Sequence, residues 1–128
     1  MGTEPHLSLL DLASDSGPLS RITGSVCAKD RLRSLDLEFA AGMLCLRCDD
    51  DTDEIVVEVA RRESDRPSVA HPALADLAGM SIESTWVMTN HRGYVDAFQL
   101  RLRDESGREE TRQFEVAASA MDVRRVIA

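Results

Sequence analysis

Leu35, Leu37 and Phe39 alternate with Asp36 and Glu38. A period of two sends successive side chains to opposite faces of a strand, so this stretch predicts a half-buried strand with its carboxylates in water. Ala41-Gly42 supplies a tight turn, and Met43 to Cys48 follows as a nearly apolar strand. The acidic run Asp49-Asp50-Asp51-Thr52-Asp53-Glu54 makes the next turn, and Ile55 to Ala60 reads as a third strand. Short connections between alternating runs describe a β-meander.

The flanks are less regular. Residues 1–17 read as a variable lead-in, in which Leu7, Leu9 and Leu10 would form one face of a short helix ended by Ser16-Gly17-Pro18. Ile22, Val26 and Ala28 suggest a strand from Leu19 to Asp30, weakened by Gly24. Arg61 to His71 is a polar surface loop. Pro72 to Ala78 predicts a short helix, with proline in its first turn, Gly79 at its end, and Leu74 and Leu77 toward the sheet. Ile82 to Met88 alternates, with Ile82, Ser84, Trp86 and Met88 on one face; Trp86 is assigned to the core. Asn90-His91-Arg92-Gly93 is a turn, and Phe98, Leu100 and Leu102 form the next inward row. Arg101, Arg103 and Arg112 would line the outside of that hairpin, pairing with acids such as Glu110. Phe114 and Val116 point inward from a further strand; Val123, Val126 and Ile127 fit an edge strand or a terminal helix equally. The expected fold is mainly β: one domain over residues 18–128, a single curled antiparallel sheet or partial barrel with one or two short helices on its open side.

Composition narrows the function. The chain has 128 residues, enough for a core without metal or disulfide staples, and a net charge of −8. Acidity on this scale argues against nucleic acid as partner, because phosphate binding needs clustered Lys and Arg. No apolar run approaches the ~20 residues of a membrane span, and the first twelve residues lack a basic signal-type region. Three cysteines, Cys27, Cys45 and Cys48, are an odd number, which fits free thiols in the cytoplasm. The charge is uneven: residues 1–60 hold twelve acids against five bases, and five of those acids lie in the 49–54 run.

Three features invite chemistry. Asp49, Asp51 and Asp53 have the spacing that opens a calcium loop, but the sixth position is Glu54 instead of Gly and the twelfth is Ala60 instead of Glu. No metal is therefore assigned; the run reads as a solvated hairpin tip or a docking patch for a basic protein, formed by Asp49, Asp50, Asp51, Asp53 and Glu54. Cys45 and Cys48 form a CxxC within a strand, where positions three apart face opposite ways, so neither zinc nor redox chemistry is expected. Asn90, His91, Tyr94 and Asp96 cluster around one turn and are the candidate ligand-binding residues. The plainer reading gives Asn90 and Asp96 to turn hydrogen bonds and Gly93 to a positive φ. No nucleophile elbow or phosphate loop is present, and no cofactor is expected.

The stretch from Trp86 through Asn90, Gly93 and Tyr94 to Asp96 resembles a strand–turn signature, W…N-x-x-G-Y-x-D, of a family of small uncharacterised bacterial domains. The Gly42 strand and the Asp53-Glu54-Ile55 turn are similar as well, so the resemblance spans residues 34–127. It implies no activity, since the family's role is unknown.

The leading expectation is a non-enzymatic protein-interaction module, of immunity or antitoxin type, presenting acidic surface to a basic partner protein. The alternative is a small-ligand-binding or enzymatic domain at the Asn90–Asp96 turn. A homodimer through an exposed strand at Val123–Ile127 is a third expectation.

Overall fold

The computed structural model describes residues 8–28, 31–49, 51–61 and 64–126. Ile127, the first seven residues and Asp50 therefore lie outside the described residues. One short helix, α1 (Leu9–Ser14), precedes eight strands: β1 (Leu19–Ala28), β2 (Arg31–Phe39), β3 (Gly42–Asp49), β4 (Glu54–Ala60), β5 (Ser81–Thr89), β6 (Val95–Arg103), β7 (Glu109–Ala117) and β8 (Ala120–Val126). They form a single curled antiparallel sheet, a half-barrel, in the order β4-β3-β2-β8-β7-β6-β5 with β1 also on β2. The segment left open between strand and helix, Val123 and Val126, is strand.

β2 is the hub. One of its edges pairs with β1 along its length; the other pairs with β3 from Phe39 back to Ser34 and then passes to β8 through the single pair Leu32–Met121. At the far side, the Leu19 N–H donates to the Met80 carbonyl at 2.7 Å, which returns the chain before β5 to the start of β1. The concave face is filled by Leu32, Leu35, Leu37, Leu44, Leu46, Phe98, Leu100, Phe114 and Met121, all buried. Each such side chain contributes about 1.5–3 kcal/mol through removal from water.

The helix differs from expectation in its face. Ser8 caps α1, accepting the Asp11 N–H at 3.0 Å, while the Asp11 carboxylate accepts from the Ser8 N–H. The fixed start rotates Leu12 into the core and leaves Leu10 in solvent. No helix forms at Pro72–Ala78. Leu74, Leu77 and Met80 each donate to the carbonyl three residues earlier, so the segment is a chain of tight turns that still buries Leu74 and Leu77.

β2 is buried on both faces, not one. Ser34, Asp36 and Glu38 are covered because the segment after β4 folds back across them. Ser64 Oγ donates to Asp36 at 2.9 Å, Arg66 reaches Ser34 Oγ and Asp36, and Ser68 bridges to Thr23 on β1.

Arg112 is likewise internal, 1% exposed, rather than on the hairpin's outer surface. It stands on the Phe114 face of β7, and the 72–80 turns close over it. Its guanidinium bonds Glu110 and Asp76, each at 2.9 Å, and the Ala73 carbonyl. Burial of this charge is tolerable because it is paired and hydrogen-bonded on several sides.

A bulge separates Ile82 from Ser84 in the β5–β6 ladder. It resets the alternation. Ile82 stays inward opposite Leu102, but Ser84, Trp86 and Met88 turn outward, and Thr85 and Val87 take the face of Leu100 and Phe98. Trp86 is therefore 42% exposed, not core, and Arg101 lies 5.5 Å from its ring centre.

Candidate functional site

The acidic tip and the Asn90–Asp96 turn, far apart in sequence, meet at one end of the half-barrel. Curling of the sheet places β4 across from β6, and Glu54 Oε2 accepts the Val95 N–H at 3.0 Å. Asp53 reaches a third turn, accepting the Ser119 N–H at 2.8 Å. The tip itself is ordered by Asp49, whose side chain accepts from the Asp51 N–H at 2.9 Å and whose carbonyl accepts from the Asp53 N–H at 2.9 Å. Asp53 adopts φ +54°, a conformation Asp tolerates better than most residues. Asp51 is exposed, and no hydrogen bond or ion pair of its carboxylate with another described residue is seen.

The Asn90 turn forms through its own polar groups. Asn90 Oδ1 accepts from the Arg92 N–H at 2.9 Å and the Tyr94 N–H at 3.2 Å. The Asn90 N–H donates to the Tyr94 carbonyl at 2.8 Å, and Gly93 takes φ +87°. Among the described residues none of these bonds goes to Asp96; the expected role for it in the turn is taken by Glu54, which holds the following amide. His91 and Asp96 make no hydrogen bond or ion pair with each other. His91 and Tyr94 are exposed, so both side chains stand on an open surface.

The surface also gains residues that sequence patterning hid. Val87 is 48% exposed and Trp86 lies beside Arg101 in the same hairpin. The exposure of Trp86 depends on the bulge, which leaves no local sequence signal; Val87, on the other face, is exposed on a strand that pairs, among the described residues, with β6 alone. Glu54 and Asp53 thereby join the acidic tip to the tyrosine-bearing turn and to the Ser119 turn.

The two cysteines of the CxxC diverge. Cys45 lies opposite Glu58 on the convex face, and Cys48 lies opposite Ile55 on the concave face. Burial first, and Asp36 second, push the Cys45 thiol up to about 12. Such a thiol is a poor nucleophile near neutrality. Among the described residues no group of three or more His, Cys, Asp or Glu is arranged to hold a metal ion, and no helix is long and apolar enough to cross a membrane.

A family model described as a family of unknown function (DUF6334) matches residues 8–128. No curated protein and no solved structure matches the chain.

Proposed function

The chain belongs to this family of unknown function, and from the composite surface just described we infer that it is a non-enzymatic protein-interaction module. The observation that carries the reading is the Glu54–Val95 hydrogen bond, which fuses the acidic tip and the tyrosine-bearing turn into one surface. Preorganised acids with exposed aromatic area suit a basic protein partner: the charge speeds encounter and the aromatic side chains supply contact area. An immunity- or antitoxin-like role, masking a cation-rich site on a toxin, is the concrete form of this proposal. Free cysteines support action in the cytoplasm.

The small-ligand or enzymatic reading centred on Asn90, His91, Tyr94 and Asp96 draws less support, because ligand sites are concave and this turn is open. Homodimerisation through Val123–Val126 would have to use the second edge of that strand, since β7 covers the first along its length and Leu32 meets the second at Met121.

The test is affinity capture from the native cell with the intact chain and two variants, Asp51→Lys and Tyr94→Ala. The expected result is a basic protein retained by the parent, lost with Asp51→Lys, weakened with Tyr94→Ala, and released by raised salt. Equal retention by all three forms at all salt concentrations overturns the docking surface.

A further inference from the structure

A cleft of about 790 Å3 opens where Pro67–Val69 runs along β1. Arg33, Arg47 and Arg66 line it together with Ser25, Ser34 and Ser68, and no carboxylate of a described residue contributes to its wall. In a chain of net charge −8, this convergence of guanidinium groups runs against the overall field.

Each arginine arrives by a different structural route. Arg47 is the cross-strand partner of Ser34, which in turn opposes Ser25, so these three form one row across the convex face. Arg33 is the extra residue of a bulge: Ser25 pairs with Ser34 and Val26 with Leu32, leaving nothing opposite Arg33. Strict alternation would have sent it to the face of Leu35 and Leu37; the bulge instead leaves it exposed at the cleft. Arg66 comes from the covering segment and is seated on Ser34 Oγ.

The acids beside Arg47 and Arg66 stand outside the cleft. Glu58 lies 3.3 Å from Arg47 and Asp36 lies 3.8 Å from Arg66, and both acids line the adjoining recess. A guanidinium has five N–H donors in a planar fork, so one carboxylate contact orients it and leaves donors for another oxyanion. Gly24 lets β1 lie close against β2 at the cleft, since a Cβ there would stand 2.3 Å from the Ser34 carbonyl oxygen. Val26, Pro67 and Val69 add an apolar wall beside the cationic one.

We propose that this cleft binds a small organic phosphate. Three forked cations and neighbouring hydroxyls match the oxygens and double charge of a phosphoryl group better than the two oxygens of a carboxylate. The volume lies in the ~300–1,000 Å3 range of small-molecule sites, room for an organic part against the valines and proline.

The test is an amide NMR titration of the intact protein with inorganic phosphate and with phenyl phosphate. Phenyl phosphate is expected to shift Ser25, Ser34 and Ser68 saturably, and to bind more tightly than inorganic phosphate. Arg33→Gln and Arg47→Gln, both at exposed side chains, are each expected to weaken binding roughly tenfold or more, the worth of one charge-assisted hydrogen bond. Unchanged resonances elsewhere verify that the variants fold, and Asp51→Lys retains binding, which separates this site from the acidic end. Shifts that do not saturate by about 10 mM, or that survive in the double arginine variant, overturn the site. Equal affinity for the two probes overturns the organic part of the ligand.

Discussion

Glu54 Oε2 lies 3.0 Å from the Val95 nitrogen, so the first residue of β4 holds the first residue of β6 across the open side of the sheet. One carboxylate thereby orders two hairpin ends that no backbone ladder joins. Glu54→Ala is expected to cost about 1–2 kcal/mol in urea unfolding, and Glu54→Gln less, because the amide oxygen still accepts. Faster exchange of the Val95 amide in Glu54→Ala locates the loss; unchanged exchange there would show that the contact does not hold the turn.

Arg112 offers a larger effect. Substitution by Met takes the buried cation from Glu110, which keeps Arg125 at 3.3 Å, and from half-exposed Asp76. The expected cost is about 3–5 kcal/mol by chemical denaturation. Arg112→Met combined with Glu110→Leu is expected to recover part of it, since the second change removes the buried carboxylate that has lost its nearer cation. Additive losses in the double variant would contradict this pairing.

Gly24 adds a close backbone approach to a φ of +159°, whereas Gly107 has a positive φ alone. Alanine at position 24 would meet the Ser34 carbonyl oxygen at 2.3 Å, whereas alanine at Gly107 meets no atom within 4 Å and suffers only from φ +89°. Gly24→Ala is expected to destabilise by about 1–3 kcal/mol, and Gly107→Ala by about 1 kcal/mol. Thermal melts of the two variants make the comparison, and the reverse order would refute the close contact.

Cys45 gives a pH dependence of known sign. Its folded pKa of about 12 stands above the ordinary 9.0. The unfolded chain thus releases this proton first as pH rises. Its contribution to stability is whole below about pH 9 and declines from there toward pH 12. Cys45→Ser is expected to flatten the fall in melting temperature over that window. At pH 8, thiol reagents should label the exposed Cys27 and leave Cys45 unmodified in the folded protein. Equal labelling rates would be incompatible with the raised value.

The strands were legible wherever alternation was clean, as in Leu35, Leu37 and Phe39, because one residue in two must leave water. What lay hidden depended on partners. Trp86 faces outward because of a bulge against β6, and a bulge is a property of a pair of strands. Arg112 sits inside because a distant run of turns covers it, and Asp36 and Glu38 are buried for the same kind of reason. The candidate residues at 49–54 and 90–96 were individually visible, but their meeting was not, since it follows from the curvature of the whole sheet. The arginine cleft left no motif: its cations come from a strand, a bulge and a loop.

The single Leu32–Met121 pair also bears on how the molecule is made. The β1–β4 half carries its own hairpin pairings and emerges first from the ribosome, yet the exposed end of β2's edge must wait for β8, the last strand described. During synthesis Leu32 is therefore paired with Val26 on one edge alone, and its other edge stays open to mispairing with another nascent chain until Met121 arrives. The same seam makes closure of the curl at Leu32 depend on the strand farthest along the described chain.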